Sequence, residues 1–152
     1  GILSIWNKNI MILQHNHLIV RAEVTQPPKS IEEVTKWVTE LVTEIKMKLL
    51  GEPQAYYVNK KGNKGATCVA VIETSHIALH VWDEKNPSML QLDVYTCSDM
   101  HEDKIFKHLE QFKPTKVQYK ILDRDRSLIT VPQMSDLAYS TASALESIKN
   151  GV

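Results

Sequence analysis

Alternation of apolar and polar side chains across residues 69–97 limits the fold more than any other feature of this chain. Over residues 76–82, Ile77, Leu79 and Val81 fall on one side of an extended backbone and His76, Ala78, His80 and Trp82 on the other, because successive strand side chains point to opposite faces. Over residues 89–97 the pattern returns, with Leu90, Leu92 and Val94 on one face and Gln91, Asp93, Tyr95 and Cys97 on the other. The residues between, DEKNPS at 83–88, are turn formers, so the two runs are expected to pair as an antiparallel hairpin. One face of that hairpin is core; the other carries imidazoles, an indole and a thiol.

The rest of the chain reads around this hairpin. Residues 17–25 (HLIVRAEVT) are β-branched and suit a central strand. Ser30 and Glu33 have capping-box spacing, and Ile31, Val34, Trp37, Val38, Leu41, Val42, Ile45 and Leu49 form one helical stripe that ends before Gly51. Trp37 lies in the middle of that stripe and is read as core. Residues 54–59 and 66–73 read as strands around the basic tip KKGNKG, which lacks the spacing of a phosphate loop and is read as a solvated turn. Cys68 is read as a small core residue. Ser98 is expected to cap a second helix over 100–112 that Pro114 ends, followed by a strand at 116–122. DRDRS at 123–127 reads as a solvated loop. Residues 135–149 are amphipathic and expected to be helical, and 1–13 to form an edge strand or a partner-facing segment. The fold class is therefore α+β, a two-layer sandwich of a mainly antiparallel sheet with helices on one face.

At 152 residues the chain is expected to be one domain, 1–152, with 1–13 and 134–152 as peripheral extensions. Eighteen basic and eighteen acidic side chains cancel, so no nucleic-acid or membrane partner is expected. Two cysteines make no disulfide framework, and no apolar run has the length of a signal core or a membrane span, so a cytoplasmic setting is expected. His15 and His17 share one side of the first strand, but without a third ligand no metal is expected there.

The run Ser75, His76, His80, Trp82, Glu84, followed by Asp93, Tyr95, Thr96 and Cys97, resembles the hallmark of the prokaryotic type of S-adenosylmethionine decarboxylase. That hallmark is approximately ESHxxxHTWPE and a strand ending in DxFTC, and here two extra residues lie in the connecting turn. In overall layout the resemblance covers about residues 15–133. It implies that the Ser75 hydroxyl attacks the Thr74 carbonyl in an N-to-O acyl shift, that His80 assists removal of the Ser75 Cα proton, and that β-elimination cuts the chain. A pyruvoyl group then remains at position 75, and its ketone forms a Schiff base with the substrate amine and serves as electron sink for decarboxylation. The resemblance further implies Cys97 as the acid that returns a proton, Glu84 as a ligand of the ribose hydroxyls and Thr67 as an aid to processing. It also implies a homodimer with sites near the subunit boundary. Trp82, Tyr95 and Glu84 are candidates to accompany the sulfonium cation.

The chain also departs from the family pattern. Thr74 stands where glutamate usually precedes the reactive serine, Asp83 replaces a proline, and the adenine-stacking aromatic has only Tyr56 and Tyr57 as nearby substitutes. Three readings stay open: decarboxylation of S-adenosylmethionine for spermidine and polyamine synthesis, the same chemistry on ornithine or arginine, and a non-catalytic homologue in which Ser75 stays intact.

Overall fold

A computed structural model describes residues 14–131 and the backbone of 137–139. The elements run β1 (Asn16–Val24), α1 (Ile31–Glu44), β2 (Gln54–Val58), β3 (Gly65–Ile72), β4 (Ser75–Trp82), β5 (Ser88–Thr96), α2 (Glu102–Leu109), a 3₁₀ turn (Glu110–Phe112), β6 (Pro114–Asp123), β7 (Ile129–Thr130) and β8 (Leu137–Tyr139). The strands form one sheet in the order β2-β3-β4-β5-β1-β6-β7, with β8 also on β6, and every pairing is antiparallel. This is the expected α+β sandwich.

Alternation sets the two faces. Leu18, Val20, Cys68, Ala70, Ile77, Leu79, Leu90, Leu92 and Val94 are buried beneath the helices. Helix α1 packs on β2 and β3 and touches α2, whose Phe106 meets Tyr119 of β6 edge-on at 4.9 Å. Trp37 is core, as expected: its ring lies 4.6 Å from His108, its Nε1 donates to the His108 carbonyl at 3.1 Å, and His108 Nε2 donates to the Trp37 carbonyl at 2.8 Å. Cys68 is fully buried, which pushes its thiol up to about 11.

Several boundaries differ from the sequence reading. Ser30 Oγ does cap α1, accepting from Glu33 N–H at 3.1 Å, but the Glu33 carboxylate bonds the Lys29 N–H rather than that of Ser30. The helix ends at Glu44, where Lys46 turns left-handed (φ 60°), and Leu49 leaves the stripe to bridge Ile72. Ile31 is exposed. Ser98 does not cap α2; the N-cap is His101, at φ 53° with no side-chain capping bond, and Ser98 Oγ turns to Met47 Sδ. Residues 137–139 extend the sheet as β8 instead of forming helix; the rest of the expected C-terminal helix and the 1–13 segment lie outside the described residues.

Candidate functional site

Strands β3 and β4 are joined by a two-residue turn, Glu73 and Thr74, closed by the Ile72–Ser75 pair. Thr74 sits at φ 50°, a left-handed conformation that costs a β-branched residue about 1–3 kcal/mol. The next side chain is Ser75, buried on the helix side of the sheet. Its Oγ accepts the Cys97 backbone N–H at 3.1 Å, and Cys97 Sγ lies 2.7 Å from Thr74 Oγ1 and 3.7 Å from the Glu73 carbonyl. Thr74 Oγ1 in turn donates to the Glu73 carbonyl at 2.8 Å, so hydroxyl and thiol converge on the same carbonyl. Thus Thr74, Ser75 and Cys97, three residues singled out by sequence, meet at one end of the sheet.

His80 is not among them. It stands five positions along β4 from Ser75, about 16 Å at strand rise, and an odd separation puts it on the opposite face. There it pairs across to Thr67, whose Oγ1 is 3.0 Å from His80 Nδ1. Trp82 and Glu84 lie farther along still. Trp82 Nε1 donates to Asn63 Oδ1 at 2.9 Å, and both Glu84 carboxylate oxygens accept the Gly62 N–H, at 3.0 and 2.9 Å. These contacts tie the KKGNKG tip down at 62–63. Within one chain the predicted residues therefore form two groups, one around Ser75 and one around His80.

Tyr95 belongs to the Ser75 end but faces the open side, where a cluster appears that sequence spacing did not reveal. His17 of β1 and His76 of β4 flank Tyr95 as its partners on either side of β5. Both imidazoles reach the same oxygen, Oδ1 of Asp93: His17 Nε2 bonds it and His76 Nε2 lies 3.4 Å away. Arg124 stacks 4.4 Å above the Tyr95 ring and donates from Nη1 to His17 Nδ1 at 3.2 Å, which makes His17 Nε2 the N–H that donates to Asp93. Burial opposes ionisation of Asp93, but the hydrogen bonds of His17 and His76, with their positive charge where the imidazoles are protonated, outweigh it and hold the carboxyl below its ordinary range. Arg124 is thus more than a solvated loop residue. His15, paired with His17 in the sequence reading, instead has its Nδ1 3.2 Å from Tyr95 Oη and Nε2 3.8 Å from Asp125. The signal for the cluster was parity: His17, His76 and Asp93 all alternate onto the open face, but only the strand order places β1 and β4 on either side of β5.

The chain is similar to known proteins in sequence and in fold. The family described as S-adenosylmethionine decarboxylase matches residues 16–125. The S-adenosylmethionine decarboxylase proenzyme of Archaeoglobus fulgidus is 39% identical over 62 residues, covering 40% of this chain and 54% of that protein. The proenzyme of Picrophilus torridus is 35% identical over 77 residues, covering 46% and 58%. The chain thus spans little more than half the length of these curated relatives. The solved structure of the adenosylmethionine decarboxylase from Aquifex aeolicus superposes with a TM-score of 0.63 at 19% identity, over 74% of this chain and 91% of that one, a likeness of fold.

Proposed function

We propose, for a chain that belongs to the S-adenosylmethionine decarboxylase family, that it cuts itself between Thr74 and Ser75 and then decarboxylates S-adenosylmethionine for spermidine synthesis. The observation that carries this reading is the turn itself: a strained Thr74 precedes a buried Ser75 whose Oγ is held by Cys97 N–H. Ser75 Oγ attacks the Thr74 carbonyl carbon; the C–O bond forms, the C–N bond breaks, and the strain at Thr74 is released. Removal of the Ser75 Cα proton then expels Thr74 as a carboxylate, and water replaces the nitrogen as ammonia, leaving a pyruvoyl group. Ser75 and Cys97 fit that group: the Oγ that accepts the Cys97 N–H would leave with Thr74, freeing that N–H at the cut, and the Cys97 thiol, 2.7 Å from Thr74 Oγ1, would stand beside it. When formed, the group supplies an electron sink for loss of carbon dioxide. Cys97 then delivers a proton to the substrate carbon.

The second group of residues enters through a homodimer. Thr67 and His80 hold each other on the face opposite Ser75, so neither reaches that hydroxyl in their own chain. In a two-fold dimer that sets the two sheets end against end, the Thr67–His80 pair of one copy would serve the Glu73–Thr74 turn of the other, where that sheet ends and Ser75 begins β4. Trp82 and Glu84 travel with His80, and join Tyr95 around the sulfonium and ribose of the substrate in the same way. Glu84 exchanges its bonds to Gly62 for the ribose hydroxyls. No described helix is long and apolar enough to cross a membrane. Both cysteines are free thiols, which supports a reducing, cytoplasmic setting.

Release of labelled carbon dioxide from S-adenosylmethionine tests this. Ser75→Ala and His80→Ala chains should each be inactive alone, and co-expression should restore one working site per mixed dimer. Activity of Ser75→Ala by itself would refute the cofactor assignment; failure of the mixture to recover would refute the shared site.

A further inference from the structure

The open-face cluster borders Tyr95 of the proposed substrate site, yet it shares no residue with the Ser75 cleavage group and has its own coordination logic. His17, His76 and Asp93 come from three neighbouring strands, β1, β4 and β5, and their side chains share the face away from the helices. One ligand atom from each, two imidazole nitrogens and a carboxylate oxygen, all lie within 4.8 Å of one another. Ligand atoms around a tetrahedral zinc ion are about 3.4 Å apart, given metal–ligand bonds of about 2.0–2.2 Å. Side-chain adjustments of an ångström or so are therefore enough to close the set on an ion. All three residues are partly exposed, so an ion has a path in and positions left over for water.

We propose that His17, His76 and Asp93 form a binding site for one divalent transition-metal ion per chain. Two nitrogens and one oxygen suit zinc, cobalt or nickel; magnesium and calcium prefer all-oxygen sets. Without an ion the same atoms satisfy each other, since each imidazole bonds or approaches Asp93 Oδ1. Binding through Nε2 shifts the proton of a neutral imidazole to Nδ1, so His17 changes tautomer with no net proton released. Arg124 opposes it twice. Its guanidinium, 3.2 Å from His17 Nδ1, adds positive charge beside the ion, and a metal at Nε2 leaves Nδ1 protonated and unable to accept from Arg124. The exposed loop carrying Arg124 lets that side chain swing out, but at a cost in affinity. A purely hydrogen-bonded cluster gives no reason for Arg124 to govern metal affinity.

The test is a cobalt(II) titration of chelator-treated, full-length protein, followed by calorimetry and by the visible absorption of the bound ion. The expected result is one ion per chain, at least tenfold weaker binding in His76→Gln and in Asp93→Asn, and tighter binding in Arg124→Gln. Ser75→Ala should bind as the wild type does, which separates this site from the self-cleavage reading. Thermal unfolding of each variant shows that it is folded before the titration is read. No cobalt bound, or binding that the His76, Asp93 and Arg124 changes all leave unaltered, would overturn the proposal; the cluster is then a hydrogen-bond network, with any ion held elsewhere.

Discussion

Thr74 carries the energetic argument for self-cleavage at the residue scale. A left-handed, β-branched residue at the bond to be broken raises the starting state, and the ester that replaces the peptide is free of that constraint. Thr74→Gly removes the strain, so the uncleaved chain should be about 1 kcal/mol more stable and its cleavage about fivefold to tenfold slower. Unchanged or faster cleavage, followed by mass over time, would place the driving force elsewhere. The two cysteines make a second contrast. Cys68 is fully buried and its thiol is raised to about 11, whereas a thiol in the unfolded chain ionises near 9. A raised folded value means stability that is complete below about pH 9 and is lost as pH rises towards 11. Denaturant unfolding should show that decline, by about 2 kcal/mol, and Cys68→Ala should flatten it; a wild-type curve flat over the same range would move Cys68 out of the core.

Among elements, the β3–β4 hairpin matters most, because it holds Ser75 at one end and Thr67 with His80 further in. Gly65 makes its pairing possible. At φ 156°, with any Cβ at this position falling only 1.7 Å from the Val81 carbonyl oxygen, the site admits no side chain without parting β3 from β4. Gly65→Ala should cost about 3 kcal/mol or more and displace the Thr67–His80 pair; an unfolding midpoint equal to wild type would contradict that close packing. Strand identities were legible because the period-two pattern at 76–82 and 89–97 has no helical equivalent. Ends were less so. Nothing in the stripe through Leu49 announces the left-handed Lys46, since lysine carries no turn signal of the kind glycine does, and the pull of Leu49 towards Ile72 is a tertiary contact. Ser98 has the right chemistry for a cap, but the chain continues through Met100, which is buried, before α2 begins.

For the whole molecule, strand order decides which residues meet. The residues of the expected site were all recognisable by type and spacing, and Ser75, Thr74 and Cys97 do converge. Spacing along one strand could not show that His80 faces away from Ser75 in the same chain, nor that His17, His76 and Asp93 converge across three strands, because both depend on pairing. Arg124 was hidden for a similar reason: its loop lies beyond β6, the neighbour of β1, and the backbone bond of Arg124 N–H to the His15 carbonyl at 2.7 Å brings it over Tyr95. The central claim, that this protein makes its own cofactor, is tested most directly by intact mass under denaturing conditions after prolonged incubation of the purified chain. The account predicts two fragments, one ending at Thr74 and one beginning with a pyruvoyl group at position 75. A single full-length mass that persists under those conditions would contradict it.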